Sequence, residues 1–347
     1  MNSLTTEIAN GSYVDRSLSR ITVGEWSSKW LETKTNLKAT TRRDYESLLK
    51  AHIEPRWGSL ALAEVGHEDV VSWLADLSAR GLSASRVRAA HVALSQMMKL
   101  AVRSGRLARN PAEYAVLPRV HRASKRYLTL EEVDALAEAA GEYRAAIYFL
   151  AYTGVRYGEM AGLRVGRLDL LRRRATIDEA VAEVAGRIVR STPKTHQARS
   201  VPIPRFLVDE LARLVAGKAP SEQVFARPDA SVLKLSWFRR NAFDPAVTAA
   251  GLDGLTPHGL RHTAASLAIA SGADVKVVQT MLGHASATMT LDLYGHLYAD
   301  RLDEISDRMD AARSKSRANS AKNSADFLRT RTNLFEMRPH GEPLAGR

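Results

Sequence analysis

From Ile21 to about Pro111 the apolar residues recur at three- and four-residue spacing, and the pattern is broken at Gly58, Gly66 and Gly81. A period near 3.6 lays such residues along one stripe of a helix, so this stretch can bury its apolar surface only by packing helix against helix. Four or so helices and no strands are predicted. The most legible one runs from Ser85 to Arg106: Val87, Ala90, Leu94, Met97 and Ala101 share one face, and Arg88, His91, Ser95, Lys99, Arg103 and Arg106 share the opposite face. A face of that kind fits a polyanion, although a merely solvated surface has the same composition.

The pattern changes after Pro111. Residues 112–126 hold Pro118, Arg119, Arg122, Lys125 and Arg126 with little periodicity, and they read as an interdomain linker. A second domain, residues 127–310, opens on a capping box in which Thr129 is followed three residues later by Glu132, ahead of apolar Leu130, Val133, Leu136 and Ala140. An apolar helix follows through Ala145 to Ala151. Strand-like pieces then appear at Ala175 to Val184, Arg187 to Arg190 and Ser200 to Ile203, which predict one small antiparallel sheet. From Phe206 the chain is helical again, with Thr256 and Pro257 at the start of one helix and Asp274 capping the next. Residues 1–20 are polar and read as a flexible arm. Residues 311–347 carry eight Lys or Arg against three acids and read as a largely disordered basic tail with a short docking segment around Phe327 to Phe335. The fold class expected is therefore mainly α with a small antiparallel β-sheet in the second of two domains.

Composition narrows the partners. The 347 residues include 50 Lys plus Arg and 38 Asp plus Glu, a formal charge of +12, which favours a polyanion, either nucleic acid or an anionic membrane. No apolar run is long enough to span a bilayer and no signal-peptide pattern is present, so nucleic acid in the cytoplasm is the expectation and no membrane partner is expected. The absence of Cys rules out disulfides, thiolate metal sites and cysteine nucleophiles.

Three separated pieces point to one chemistry. In Thr153-Gly154-Val155-Arg156-Tyr157-Gly158-Glu159 an apolar helix stops at a glycine and Arg156 opens the next segment, with Glu159 three residues on. A guanidinium binds two phosphate oxygens at once and keeps its charge, although an Arg-x-x-Glu pair taken alone is usually a surface ion pair. In His258-Gly259-Leu260-Arg261-His262 the spacing puts His258, Arg261 and His262 on one side of the first turns of a helix, where free N–H groups favour an anion. In Leu282-Gly283-His284 the glycine reads as a helix C-cap that leaves His284 at a helix end, and Tyr294 follows ten residues later. Each histidine alone is more often structural, and each tyrosine alone more often core.

Taken in order, TGVRYGE, HGLR, LGH and LDLYGH resemble the signature of the tyrosine recombinase family, which includes phage integrases and bacterial chromosome-resolving recombinases. The resemblance covers roughly Ile21 to Arg313, since LKATTRRDYESLLKAHIEPRWG is similar to part of the family's helical core-binding domain. It implies a two-domain DNA clamp, in which residues 21–111 form the core-binding domain and residues 127–310 the α+β catalytic domain. It also implies an active set of Arg156, Lys194, His258, Arg261, His284 and Tyr294, with Glu159 orienting Arg156. Lys194 lies in Thr192-Pro193-Lys194-Thr195, at the turn between predicted strands where the family places its mobile lysine; Lys218 lies in no such hairpin. Arg42, Arg43, Arg86, Arg88, Lys99, Arg103, Arg106 and Arg199 are the side chains expected to contact DNA.

The implied reaction is phosphoryl transfer with no metal and no nucleotide cofactor. Tyr294 attacks the scissile phosphate to give a 3′-phosphotyrosyl link and a free 5′-hydroxyl. His258 is the candidate base, Arg156, Arg261 and His284 hold the non-bridging oxygens, and Lys194 protonates the leaving oxygen. The expected partners are double-stranded DNA attachment sites and three further copies of the chain, a homotetramer on DNA, with an excisionase or a host DNA-bending protein as accessory. An integrase of a phage or mobile element is favoured by TLDLYGHL and the extended tail, and a separate arm-binding domain is not expected. The alternatives are a dimer-resolving recombinase, a type IB topoisomerase, and a DNA-binding protein that does not cut.

Overall fold

The computed structural model describes residues 18–120, 126–192, 198–299, 306–307 and 309–318. Four helical stretches build the first core: α1 (Val23–Glu32), α2 (Ala39–Leu48), α3 (His67–Ala79) and α4 (Ala84–Arg103). A π-helical turn (Leu49–Ile53) and a final turn (Glu54–Trp57) prolong α2. Thr22 and Glu25 close a capping box at α1, and Ser83 caps α4. Trp26, Trp30, Trp57 and Trp73 are all buried here among aliphatic side chains of the four stretches. The indoles of Trp26 and Trp73 donate to the carbonyls of Met97 and His52, at 3.0 and 3.2 Å, so neither N–H is left unpaired.

Two expectations change at the edges of this core. Residues 18–20, assigned to the arm, form a 3₁₀ turn in which Ser19 is buried. The chain after Asn110 does not leave as a linker at once: Ala112 is buried in the first core, and Ala115 and Leu117 pack against it. The basic face of α4 holds that segment down. Arg88 Nε donates to Pro118 O at 2.8 Å, His91 Nε2 lies 2.8 Å from Ala112 O, and Asn110 Nδ2 donates to the Ser95 hydroxyl at 3.1 Å. Carbonyls of an irregular segment laid on a helix need donors, and these side chains supply them.

The second core contains α5 (Leu130–Ala139), α6 (Arg144–Thr153) and α7 (Tyr157–Gly162). Thr129 and Glu132 make the expected capping box. α6 is apolar nearly all round and is the central helix of the core. The strands are β1 (Leu168–Asp169), β2 (Arg174–Ile177), β3 (Ala180–Val184), β4 (Arg187–Ser191) and β5 (Arg199–Pro202). They make two sheets rather than the single one expected. β2 lies between β1 and β5, antiparallel to both, with Ala175 opposite Val201; β3 and β4 form a separate hairpin with Ala182 opposite Val189. Ala185 and Gly186 both have positive φ at the hairpin turn, the backbone that a two-residue connection between twisted strands requires.

The remaining helices are α8 (Arg205–Val215), α9 (Leu235–Phe238), α10 (Asp244–Ala249), α11 (Pro257–Ala270), α12 (Val275–Leu282), α13 (Ala287–Tyr294) and α14 (His296–Ala299). Thr256 and Asp274 cap α11 and α12 as expected. The second half of α11, with α12 and α13, forms a third small apolar cluster that contains the ring of Tyr294. Residues 309–318 are helical and exposed, where the basic tail was expected to be disordered from Ala311. The rest of the tail, with Phe327 to Phe335, lies outside the described residues. Lys38 Nζ, just ahead of α2, donates to Thr192 O after β4 at 3.2 Å and links the first core to the hairpin side of the second. Among the described residues no helix is long and apolar enough to cross a membrane.

Candidate active site

Arg261 sits where two helices end. Its guanidinium donates to Gly154 O at 2.6 Å, at the C-cap of α6, and to Leu282 O at 2.7 Å, the last residue of α12. The final carbonyls of a helix have no partner within it and carry the negative end of its dipole, so the two ends form a socket for a buried cation. Arg261 is 3% exposed. Burial first, then the nearby Arg156 and Arg199, depress its pKa to about 9, with Glu159 and Tyr294 opposing, so the side chain is still charged at neutral pH. Gly154 has φ +64, and a Cβ there would come within 2.6 Å of Leu282 and 3.2 Å of the Ala264 Cβ, so the turn that places Arg156 requires glycine.

One carboxylate organises the other arginines. Glu159, 1% exposed, accepts from the Arg156 backbone N–H at 2.9 Å and from the Arg156 guanidinium at 2.9 Å. Arg199, at the start of β5, binds the same carboxylate through both terminal nitrogens at 3.2 and 2.5 Å, and its Nε donates to Met281 O. Burial pushes the Glu159 carboxyl up, but the hydrogen bond and charge of Arg199, with those of Arg156, outweigh it and hold the group below the ordinary carboxylate range. Two guanidiniums thus converge on one buried carboxylate, with Arg261 close enough to feel its charge, and the surplus is positive. Arg199, expected to contact DNA, is turned inward instead, because an unpaired Glu159 at this depth needs its fork.

His284 follows Gly283, whose φ is +65 and where a Cβ would meet the Arg199 guanidinium at 2.9 Å. Its Nδ1 lies 2.9 Å from the hydroxyl of buried Thr290 in α13. Burial, then the charges of Arg261, Arg156 and Arg199, push the imidazole pKa down to about 4. The ring is neutral at physiological pH, so it can meet an anion through a hydrogen bond and not as a charge.

Tyr294 ends α13 and is 1% exposed. Its hydroxyl lies 2.7 Å from His262 Nδ1, and His262 meets the edge of His258 with ring centroids 5.1 Å apart. Burial raises the phenol pKa to about 12; Arg261 works against that rise and Tyr127 adds to it. The histidine at the phenol is thus His262, where sequence reasoning chose His258 as base. The signal was present, since the 258/262 spacing puts both rings on one face of α11. Nothing local showed which of the two would meet α13.

Arg156, His258, Arg261, His284 and Tyr294 therefore share one neighbourhood in a single subunit, with Glu159, Arg199, His262 and Thr290 among them. Lys194, between β4 and β5, lies outside the described residues. Of the other side chains expected to contact DNA, Arg43, Lys99 and Arg103 are exposed. Arg42 reaches Leu31 O and lies 3.8 Å from Glu46, and Arg86 donates to the Ser47 hydroxyl. Arg88 is engaged with Pro118, and Arg106 donates to Leu18 O while stacking on Trp26 at 4.9 Å.

A phenol held by an imidazole beside clustered guanidiniums has the make-up that phosphoryl transfer through a covalent tyrosine needs, which is the chemistry of DNA strand transferases. The model of the phage integrase family matches residues 126–301, and that of the phage integrase central domain matches residues 23–115. Tyrosine recombinase XerC of Mycobacterium tuberculosis (strain H37Ra) is 31% identical over 257 residues, 68% of this chain and 80% of its own length. The integrase of Mycobacterium phage D29 is 28% identical over 302 residues, 84% of this chain and 79% of its own. Among solved structures, the Tn1549 transposon integrase in complex with transposon right end DNA aligns with TM-score 0.74 at 21% identity, covering 84% of this chain and all of that one. A lambda integrase tetramer bound to a Holliday junction aligns with TM-score 0.61 at 19% identity, covering 82% and 80% of the two chains. The chain belongs to the phage integrase family and is a site-specific tyrosine recombinase, a DNA strand transferase.

Proposed function

We propose that this recombinase is the integrase of a phage or mobile element and that Tyr294 is its nucleophile, forming a 3′-phosphotyrosyl link and freeing a 5′-hydroxyl. The observation that carries this reading is the surplus of guanidinium charge around Glu159 and Arg261, set beside a phenol hydrogen-bonded to an imidazole in the same subunit. A scissile phosphate is the anion such a pocket lacks. Arg156 and Arg261 hold its non-bridging oxygens and offset the charge that grows on them, and His284 donates a hydrogen bond. The phenol proton passes to the His258 and His262 pair. Lys194 gives a proton to the departing 5′ oxygen, a task suited to a mobile ammonium. Because the phosphotyrosyl ester keeps the energy of the broken bond, the 5′-hydroxyl of a partner strand reverses the step.

Four cuts in two duplexes need four active sites, so the working form is a homotetramer on paired attachment sites, acting on DNA in the cytoplasm with an excisionase or a DNA-bending protein as accessory. The lambda integrase of similar fold, captured as a tetramer on a Holliday junction, supports the stoichiometry. Residues 18–118 and 127–310 act as the two halves of the clamp, with residues 119–126 as the connection. Exposed Arg43, Lys99 and Arg103 are the first-core side chains best placed to meet phosphates.

The test is a nicked suicide duplex carrying candidate sites. The wild-type protein leaves a denaturant-resistant adduct, and Tyr294→Phe binds the same duplex and leaves none. An adduct with Tyr294→Phe would remove the nucleophile assignment, and no adduct with the wild type on any site would reduce the chain to a binder. The identity to XerC favours a second reading, resolution of replicon dimers. Recombination between two identical sites supports that reading, and recombination between two unlike attachment sites supports the integrase.

A further inference from the structure

We propose that His262 is the residue that holds the Tyr294 phenol and takes its proton as the oxygen attacks phosphorus. The inference rests on the reading of Tyr294 as nucleophile and assigns the proton acceptor that reading leaves open between two rings. The contact is direct, His262 Nδ1 to Tyr294 Oη at 2.7 Å. The position is rigid as well, because His262 follows Arg261, whose guanidinium is tied to Gly154 O and Leu282 O and fixes this turn of α11 against two helix ends.

The need for an acceptor is physical. The phenol is almost fully covered and its proton is held well above neutral pH, so the oxygen becomes a competent nucleophile only as that proton leaves for a group already in hydrogen-bond contact. The groups facing the pair are known. From α11 come His258, edge-on to His262, and Arg261, whose charge favours the phenolate; from beyond α12 comes His284, near enough to couple electrostatically with His262. From ahead of α5 comes Tyr127, whose hydroxyl lies 3.4 Å from His296 Nε2 in α14.

The step balances on these atoms. A bond forms between Tyr294 Oη and the scissile phosphorus, and the bond from that phosphorus to the 5′ oxygen breaks. The phenol proton moves to His262 Nδ1, which turns a neutral ring carrying its hydrogen on Nε2 into an imidazolium. The 5′ oxygen takes its proton from the acid, Lys194 in the proposal above. Religation returns each proton by the same route.

The experiment follows single-turnover adduct formation on a suicide duplex from about pH 6 to 9, with wild type, His262→Ala, His262→Gln and His258→Ala compared at saturating DNA. His262→Ala should bind with wild-type affinity, cleave about 100-fold more slowly or worse, and lose the rise of rate with pH; free imidazole should restore part of the rate in proportion to its unprotonated fraction. His262→Gln can hold the phenol by a hydrogen bond but cannot take its proton, so it should stay slow. Cleavage by His262→Ala within about threefold of wild type, with an unchanged pH profile, overturns the proposal, and wild-type cleavage by His262→Gln overturns the proton transfer. Should His262→Ala fail to fold, the Gln variant and imidazole ¹⁵N spectra of the wild type decide. The spectra must show His262 Nδ1 without a proton, and a proton found there would reverse the hydrogen bond and sink the idea. An adduct with Tyr294→Phe would be a failure of the nucleophile assignment instead, and the two outcomes are scored on different variants.

Discussion

The two halves of this molecule bury different kinds of side chain. The first core hides four tryptophans among aliphatic residues, and its buried polar groups, Ser19, Ser27 and Asn110, are all neutral. The second hides Glu159, Arg261 and His284, with Arg199 nearly covered. Removing a charge from water is costly unless partners replace the solvent, and apolar side chains would stabilise the same volume more simply. A chain that buries ions in one half and avoids them in the other marks the half where a charged ligand completes the structure. The interior of the first core should therefore govern stability alone, and that of the second should govern stability and chemistry together.

The largest test of that contrast is Glu159→Ala. It leaves Arg156 and Arg199 facing each other without a counter-ion at a buried site, and it should cost about 3–5 kcal/mol in urea unfolding at neutral pH and abolish adduct formation. A loss under about 1 kcal/mol would mean that solvent already screens the cluster. The matched change in the first core is Leu94→Ala on α4, at a fully buried position. It should cost about 3 kcal/mol through the cavity left behind, yet leave the cleavage rate of DNA-bound protein unchanged below the melting transition. If cleavage falls as far as in Glu159→Ala, the division between the halves is wrong.

Gly283→Ala probes the seam on a smaller scale. The backbone there is left-handed and the new methyl would press on the Arg199 guanidinium, so a cost of about 1–2 kcal/mol is expected from the conformation alone. Cleavage should fall further than stability, because the displaced Arg199 shares Glu159 with Arg156. Equal stability and equal cleavage would show that the loop relaxes around the methyl.

What could be read in the sequence was local. Thr129 with Glu132, Thr256 with Pro257, Asp274 and the left-handed Gly283 all act within one helix end, and each was legible as spacing. The four helical stretches of the first core followed from period alone. Contacts between distant segments were not legible. The basic face of α4 looked free because sequence spacing does not show the carbonyls of residues 110–118 lying on it. Arg199 looked like a surface cation because its carboxylate is 40 residues away in the chain. Two sheets appeared where one was expected, since alternation predicts strands but not which strands pair. Residues 309–318 are a helix without an apolar stripe of their own, so periodicity gave no sign of it.

The smallest expected effect isolates one hydrogen bond. Thr290→Val keeps the shape of the side chain and removes the hydroxyl at His284 Nδ1, which should cost about 1 kcal/mol. The imidazole at the other end of that bond gives a second readout, in pH. The folded protein holds the His284 pKa near 4, chiefly by burial and then by Arg261, below the ordinary value of 6.5. The unfolded chain therefore binds a proton that the folded one refuses, so this stability is full above about pH 6.5 and drains away as pH falls toward 4. Urea midpoints taken across that window should fall on acidification in the wild type and fall less steeply in His284→Gln, while Leu94→Ala should run parallel to the wild type from a lower start. A wild-type slope in Leu94→Ala and a flattened one in His284→Gln would place this part of the acid sensitivity in the half that buries ions. Parallel slopes in all three would mean that the imidazole is not held neutral by its surroundings, and the charge surplus around it would have to be smaller than the geometry implies.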